Sequence, residues 1–304
     1  MQDTPRIVVG LELDRTGKEL SKGSEKALEQ AIWLARARGG QLICAHARGG
    51  ERFVEKAAGV VLLMHEGVPE EGRQALEAAV AGCIEDGVEA RLELLDERPV
   101  LGLVRLVMGE SADLLVVGRH DTAEDGPRIG SVAQKLLRKC PAPVWVVKPG
   151  HSTRPERVLA ATDLTPTGRH AVELGCSVAK QAEAEMHVVH SFQITMEEQF
   201  SGEDSDLDLL RRRDQLGEQI RADLAGDLSG LDAELHVLCN APERGIQETI
   251  KRVDPDVLVI GSVSRGGIAG FLIGNTAERV LPKTTCSLLV VKPDDFVSPI
   301  KLED

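Results

Sequence analysis

The segment Asp256-Val-Leu-Val-Ile-Gly261 is almost a copy of an earlier segment, Asp113-Leu-Leu-Val-Val-Gly118. In both places a loop follows and leads to a glycine and a small polar residue, Gly274-Asn275 in the later copy and Gly130-Ser131 in the earlier one. Each copy then closes on an apolar run that ends in Lys-Pro. The sequence therefore predicts one domain that occurs twice, over residues 1–150 and 151–304.

Within each copy, apolar runs of strand length alternate with segments of helical periodicity. Strands are predicted at residues 6–12, 41–46, 89–95, 113–118 and 144–148, and again at 157–163, 185–190, 234–238, 257–261 and 288–292. Helices are predicted after a Ser24 cap and at 70–87, 100–108, 131–139, 168–182, 206–228, 244–253 and 276–281. This alternation is typical of parallel sheets with helices on both faces. We expect two tandem α/β Rossmann-like domains, each with a five-stranded parallel sheet.

Composition excludes several classes of partner. The 304 residues carry 36 basic and 49 acidic side chains, a net charge of −13, without a basic cluster. Nucleic acids and anionic membranes are therefore not expected partners, because both require positive patches. The sequence contains no apolar run of membrane-spanning length, its first residues do not have the pattern expected of a signal-peptide h-region, and its six cysteines form no C-x-x-C pair. These features predict a cytoplasmic protein with reduced thiols and without a disulfide or zinc framework.

The carboxyl ends of the first and fourth strands should flank a ligand crevice in each copy, as in other open α/β sheets. In the second copy the fourth strand runs into a glycine-rich loop, residues 261–274, which carries Arg265 and no carboxylate. Such a loop suits an anion such as phosphate. A purely structural alternative is a helix capping box, since Asn275-Thr-Ala-Glu278 has that pattern and Ser131-Val-Ala-Gln134 repeats it.

The loop resembles the G-x2-G-x9-G-[S/T/N] nucleotide loop of universal stress proteins, in their tandem two-domain form. The resemblance covers essentially the whole chain. Residues 135–149, 272–280 and 292–304 are similar to the E-type tandem stress proteins of Gram-negative bacteria.

This resemblance implies roles for particular residues. Family members that bind ATP place an Asp after the first strand against the nucleoside, and the glycine loop around the ribose and phosphates. The residues that match, together with the loop arginine, are Asp163, Gly261, Ser264, Arg265, Gly274 and Asn275. Ser264 stands where the family has its second glycine. The implied ligand is ATP, with Mg²⁺ as a further candidate. Asp163 has an alternative role, since an Asp before Thr165-Pro166 can open and cap a turn.

The first copy departs from this pattern. Its first strand ends in Glu12, and its loop is one residue shorter, with Asp121 at the second glycine position. Asp121, Glu124 and Asp125 would repel a triphosphate, partly offset by three basic side chains (Arg119, His120, Arg128). We therefore expect a degenerate or repurposed site there. His46 and His190 share one position near the two crevices, where they either pack or line a ligand.

Several functions stay open at this level. The leading hypothesis is a cytoplasmic stress-response protein that binds an adenine nucleotide, ATP first of all, in its second domain. The alternatives are a different small or lipid-like ligand beneath residues 48–73 or 191–208, and a ligand-free scaffold for protein partners. A slow ATPase is less favoured, because no base, nucleophile or metal cage is evident. The resemblance also implies that the terminal strands of the two domains pair within one chain, and it leaves homodimers open.

Overall fold

The structure, a computed structural model, describes residues 4–47, 67–119, 129–150, 152–193, 206–262 and 274–302, and the backbone of 52–56 and 60–64. It divides into two compact units. The first comprises Met1–Pro149 together with Val297–Asp304, and the second comprises Gly150–Phe296. The sequence-based division assigned residues 297–304 to the second domain, whereas the described residues 297–302 group with the first unit.

The first unit has the parallel strand order β7-β6-β1-β2-β5. Its strands are β1 Arg6–Gly10, β2 Gln41–Ala47, β3 Arg52–Lys56, β4 Val60–Met64, β5 Ala90–Leu95, β6 Leu114–Gly118 and β7 Val144–Val147. Its helices are α1 Lys22–Arg38, α2 Glu70–Glu85, α3 Pro99–Gly109 and α4 Ser131–Lys139. The predicted five-stranded parallel sheet is confirmed. The antiparallel β3–β4 hairpin was not predicted from the sequence.

The second unit repeats this topology, with the parallel order β10-β9-β8-β11-β12. Its strands are β8 Arg157–Thr162, β9 Glu185–Phe192, β10 Ala233–Cys239, β11 Val257–Gly261 and β12 Ser287–Val291. Its helices are α5 Pro166–Ala182, α6 Asp206–Asp223, α7 Ala225–Leu228, α8 Pro242–Val253 and α9 Asn275–Val280, followed by a 3-10 turn at Leu281–Lys283. The single helix predicted over 206–228 is interrupted at Leu224, which is buried.

The strands form the core because helices cover both faces of each sheet. Ile7, Val8 and Val9 are all buried, so both faces of β1 are covered. All six cysteines are described and none forms a disulfide; Cys239 is exposed and the other five are buried. Burial raises the pKa of Cys176 to about 11, so this thiol is protonated at neutral pH.

The repeated Asp at the start of the fourth strand has a structural role. Asp113 Oδ2 accepts a hydrogen bond of 2.8 Å from the backbone N–H of Arg6. In the second unit Asp256 Oδ2 accepts equivalent bonds from the N–H groups of Glu156 and Arg157, at 2.7 and 3.0 Å. Each Asp therefore holds the start of the first strand against the start of the fourth.

Helix α1 begins at a different serine from the one predicted. Ser21 is the N-cap, and its side chain accepts from the backbone N–H of Ser24. Ser24 lies in the first turn, where its Oγ accepts from the N–H of Glu12 at 2.7 Å. The predicted cap at Ser24 is wrong because this hydroxyl binds the end of the first strand instead of the helix.

The C-terminal segment closes the first unit over α3 and α4. Ser298 Oγ donates to the carbonyl of Lys139 at 2.8 Å, and Arg105 Nε donates to the carbonyl of Lys301 at 2.8 Å. Leu302 lies over Gly109. Residues from the two ends of the chain therefore share one unit.

The end of β6 touches the first turn of α1 directly. A Cβ atom added to Gly118 would lie 2.2 Å from the carbonyl carbon of Gly23 and 2.3 Å from its oxygen. In the second unit a Cβ on Gly261 would meet Thr167 Cγ2 at 3.0 Å. The contact in the first unit is between two backbones, and it has no room for a side chain.

Replacing Gly118 with alanine should therefore destabilise the first unit by about 3 kcal/mol or more, because the backbones must separate. Both tryptophans, Trp33 and Trp145, lie in this unit, so tryptophan fluorescence during urea unfolding reports it selectively. Gly82→Ala in α2 is the matched control, since nothing lies within 4 Å of its added Cβ. That change should stabilise by about 0.5–1 kcal/mol. An unchanged urea midpoint for G118A would contradict the backbone contact.

Candidate functional site

Each unit has a crevice at the carboxyl ends of its strands. In the first unit β1 lies between β2 and β6, and in the second β8 lies between β9 and β11. From the central strand the chain first runs outward to one side of the sheet and later returns to pair on the other side. This arrangement is the position where open α/β sheets bind ligands.

Asp163 is the first residue after β8, and it opens a tight turn. Its Oδ1 accepts from the N–H of Thr165 at 3.1 Å and from the Thr165 hydroxyl at 2.5 Å. Leu164, between them, is exposed and has φ 63°, a left-handed conformation that is costly for leucine. Asp163 thus has the turn-opening role that the sequence offered as an alternative. Its side chain is exposed at the crevice, and among the described residues Oδ2 accepts no hydrogen bond.

Gly168 is a site residue that the sequence analysis missed. A Cβ added to it would lie 2.5 Å from Asp163 Oδ1, so only glycine leaves the Asp163 carboxylate in its place. Sheet register aligns Asp163 with Glu12. The helix N-caps Thr165 and Ser21 align Gly168 with Ser24, since each lies three residues after its cap. A glycine in the first turn of a helix, after Thr165 and Pro166, was the available indication in the sequence.

The matching loop residues are only partly described. Gly261 ends β11, and Gly274, which has φ 101°, is the N-cap of α9. Asn275 is the first helical residue, exposed, and no side-chain bond caps this helix. Gly130 likewise precedes α4 without a side-chain cap, so the capping-box interpretation is wrong in both copies. Ser264 and Arg265 lie outside the described residues.

The crevice of the second unit is small. Its volume is about 90 Å³, and its walls include Asp163, Gly168, Ser191, Gly261 and Thr276. The Ser191 hydroxyl oxygen is buried and has no hydrogen-bond partner among the described residues. Buried polar atoms are nearly always paired, so this hydroxyl is a candidate contact for a water or a bound molecule.

The crevice of the first unit is larger, about 370 Å³, although its loop was expected to be the degenerate one. At three equivalent strand positions the first unit has the smaller side chain, which contributes to the difference in volume. The pairs, first unit then second, are Gly10 and Ala161, Ala45 and Val189, and Val117 and Ile260. Each change adds one or two carbons to the second crevice.

The charged residues of the first crevice also differ from expectation. Arg119 is only 2% exposed, although the sequence suggested a loop side chain, and its N–H extends the β6–β7 ladder by donating to Val147 at 2.8 Å. Arg119 and Glu12 both line the crevice, which therefore presents both signs of charge. The remaining charged loop residues lie outside the described part of the chain (His120, Asp121, Glu124, Asp125, Arg128).

His46 and His190 hold equivalent positions in the two units. His46 Nδ1 lies 2.9 Å from the carbonyl oxygen of Leu11, and His190 Nδ1 lies 3.0 Å from that of Thr162. Leu11 and Thr162 directly precede Glu12 and Asp163, so each histidine fixes the end of the first strand. His46 also lines its crevice, which combines the two roles left open by the sequence.

Comparison with known proteins gives a consistent assignment. Residues 5–148 and 155–292 each match the universal stress protein family. Universal stress protein E of Salmonella typhi is 28% identical over 235 residues, covering 73% of this chain and 74% of that protein. The Photorhabdus laumondii protein of the same name is 24% identical over 301 residues, covering 92% and 95%. A functionally unknown Pseudomonas aeruginosa protein superposes with a TM-score of 0.72 at 24% identity, over 97% of this chain and 95% of that one.

No helix in the described ranges has the length and apolar character needed to cross a membrane.

In their neutral form the two crevice histidines should carry the proton on Nδ1, because a carbonyl oxygen only accepts hydrogen bonds. Long-range ¹H–¹⁵N spectra of the histidine side chains should show this tautomer for His46 and His190. The variants H46Q and H190Q assign the two resonances, and exposed His170 on α5 provides the reference. An Nε2-protonated pattern for either crevice histidine would contradict the hydrogen bonds described.

Proposed function

The chain belongs to the universal stress protein family, with one family domain in each half, and from this premise we propose that it is a cytoplasmic stress-response protein that binds an adenine nucleotide, ATP first of all, in its second domain. The observation that carries this proposal is the Asp163 carboxylate at the crevice. By resemblance, ATP-binding members place an Asp there against the nucleoside.

The chemistry of Asp163 suits a nucleoside. An ionised carboxylate only accepts hydrogen bonds, and ribose hydroxyls and the adenine amino group donate them. Thr165 engages Oδ1, which leaves Oδ2 to accept a hydrogen bond from a ligand. The Ser191 hydroxyl supplies a second polar group whose pairing a ligand would complete.

Size sets a condition on this proposal. Pockets for small molecules usually measure about 300–1,000 Å³, and the second crevice has about 90 Å³. A nucleotide would therefore have to extend beyond the described walls, since residues 263–273 after β11 lie outside the described part of the chain. Asp163 is the one acid among the described residues that line it. A Mg²⁺ ion that arrives with ATP would accordingly be held mainly through the phosphates.

Removal of the Asp163 side chain tests the proposal. Isothermal titration with ATP should show binding to the native chain, and Asp163→Ala should weaken it by about tenfold or more, as expected for a charged hydrogen bond. Asp163→Asn, which retains an acceptor for Thr165, separates loss of charge from loss of the turn. Gly168→Ala should weaken binding as well, because its Cβ displaces the carboxylate.

Glu12→Ala is the matched control, since Glu12 has the same position in the first unit. It should leave ATP binding unchanged. Absence of ATP binding, or equal losses in D163A and E12A, would rule out a nucleotide site in the second domain.

A second candidate function is favoured by the first crevice. Its volume of about 370 Å³ lies in the usual range for small ligands. Apolar side chains form much of its wall (Leu11, Leu103, Val117, Val132). We propose that the first domain holds a ligand other than a nucleotide, apolar in its larger part, with Arg119 and Glu12 toward its polar end.

Filling the first crevice tests this second function. Ala45→Val introduces the side chain that the second unit has at the same position, and Val189→Ala is the reciprocal change. Native mass spectrometry of the purified native chain should show a retained small molecule, which A45V should lose and V189A should keep. A native chain without any retained mass, or retention that A45V leaves unchanged, would contradict a ligand in the first domain.

A further inference from the structure

A cluster of three side chains lies in the second unit, away from the crevice. His187 is on β9, and Glu234 and His236 are on the neighbouring edge strand β10. The strand register pairs His187 with Glu234, and His236 follows two residues later on the same face. His187 lies in the amino-terminal half of β9 and His236 at the middle of β10, whereas the crevice is at the carboxyl ends of the strands. The cluster is therefore separate from the proposed nucleotide site.

The potential ligand atoms of these side chains converge. His187 Nδ1 lies 3.1 Å from His236 Nε2. The Glu234 carboxylate lies 3.6 Å from His187 Nδ1 and 3.5 Å from His236 Nδ1. The histidines are 8% and 4% exposed, whereas Glu234 is exposed. Burial lowers the pKa of His236 to about 4, so its ring is uncharged at neutral pH.

From this geometry we propose that His187, His236 and Glu234 bind a divalent transition metal ion of the Zn²⁺ class. Two imidazoles and one carboxylate are a donor set that zinc uses in proteins, with the fourth position left to water. Zinc–nitrogen bonds of about 2.0–2.1 Å in a tetrahedron separate two ligand nitrogens by about 3.3–3.4 Å. The two nitrogens are already at 3.1 Å. The rings, inclined by 20°, need to turn so that both lone pairs point to one centre.

Carboxylates also lie near the histidine nitrogens that would not bind the metal. Ligating histidines usually donate their other N–H to a carboxylate or carbonyl. His187 Nε2 is buried, has no hydrogen-bond partner in the described part of the chain, and lies 3.7 Å from the Glu185 carboxylate. His236 Nδ1 lies 3.5 Å from Oε1 of Glu234, which leaves Oε2, the oxygen 3.6 Å from His187 Nδ1, as the metal ligand. With a metal on His187 Nδ1 and His236 Nε2, the N–H groups at His187 Nε2 and His236 Nδ1 would each have a nearby carboxylate to donate to.

The Arg252 side chain competes with a metal ion for this cluster, through its contact with His236. Its guanidinium donates a hydrogen bond to His236 Nδ1. The proton of His236 must then reside on Nε2, from which it is donated to His187 Nδ1, and the lone pairs that a metal needs are occupied. Arg252 is exposed, so its side chain is able to withdraw into solvent. Metal binding and the Arg252 contact are therefore mutually exclusive.

The fold itself does not require these histidines. At the equivalent register positions the first unit has Ile43 in place of His187, and Arg91 and Glu93 in place of Glu234 and His236. Arg91 and Glu93 form an ion pair at 3.1 Å. In the first unit, the equivalent two strands thus have an aliphatic side chain and a surface ion pair at these positions. An open cavity of about 500 Å³, bordered by Glu234, His236, Arg252 and α6, gives an ion access to the cluster.

Metal titration of the untagged, chelator-treated full chain tests this proposal. Titration with Co²⁺ should give one equivalent with the visible absorption of a four- or five-coordinate site, and Zn²⁺ should displace it. H187Q and H236Q should each weaken Zn²⁺ binding by about 100-fold or more, since each removes a direct ligand. Arg252→Gln should strengthen binding by about tenfold or more, because it removes a competing positive charge.

His170→Gln is the matched control, since His170 is exposed on α5 beside Glu173, at 3.6 Å. It should leave the affinity unchanged. Unchanged affinity in H187Q and H236Q, loss of binding in H170Q, or weaker binding in R252Q would each overturn the proposal. If circular dichroism shows that either histidine variant is unfolded, Glu234→Gln provides the same test through an exposed side chain, with an expected loss of about tenfold. The outcome is independent of nucleotide binding.

Discussion

Helix α1 reaches the end of β6 only because neither Gly118 nor Gly23 has a side chain to separate their backbones. This contact fixes where the helix starts, and hence where Ser24 meets the end of the first strand. In the second unit one partner is Thr167, and the contact is looser. The mouth of each crevice is set by how closely its first helix approaches its fourth strand. Glycine at that point serves packing first, whatever it also offers to a ligand.

Much of the fold could be predicted from the sequence because parallel strands, buried on both faces, appear as continuous apolar runs. Details that depend on contacts between distant segments of the chain could not be predicted from the sequence. Ser21 and Ser24 are equally good caps in a polar turn, and the choice depends on a hydrogen bond to Glu12. The pairing of His187 with His236, residues 49 apart in the chain, requires knowing that β9 and β10 are neighbours. Burial of Arg119 likewise follows from the ladder to β7 and not from its loop-like sequence.

Comparing the charges of the two loops does not capture how the two crevices differ. The sequence distinguished the halves by acidic residues in one loop, which lie outside the described residues. In the described walls, the halves also differ in side-chain size at strand positions, such as Ala45 against Val189. Duplication has kept the strand register while the lining changed residue by residue. The two crevices of this universal stress protein therefore differ in size, and neither is a copy of the other.

The segment that closes over α3 and α4 makes the first domain discontinuous in the gene. On the ribosome, residues 1–149 emerge early, but the partners of Arg105 and Lys139 at Lys301 and Ser298 emerge only after the whole second domain has been made. The amino-terminal domain must persist through that interval without its final contacts. A nonsense mutation anywhere in the second half would thus affect both domains, since it would also remove the C-terminal segment that packs on α3 and α4 of the first domain.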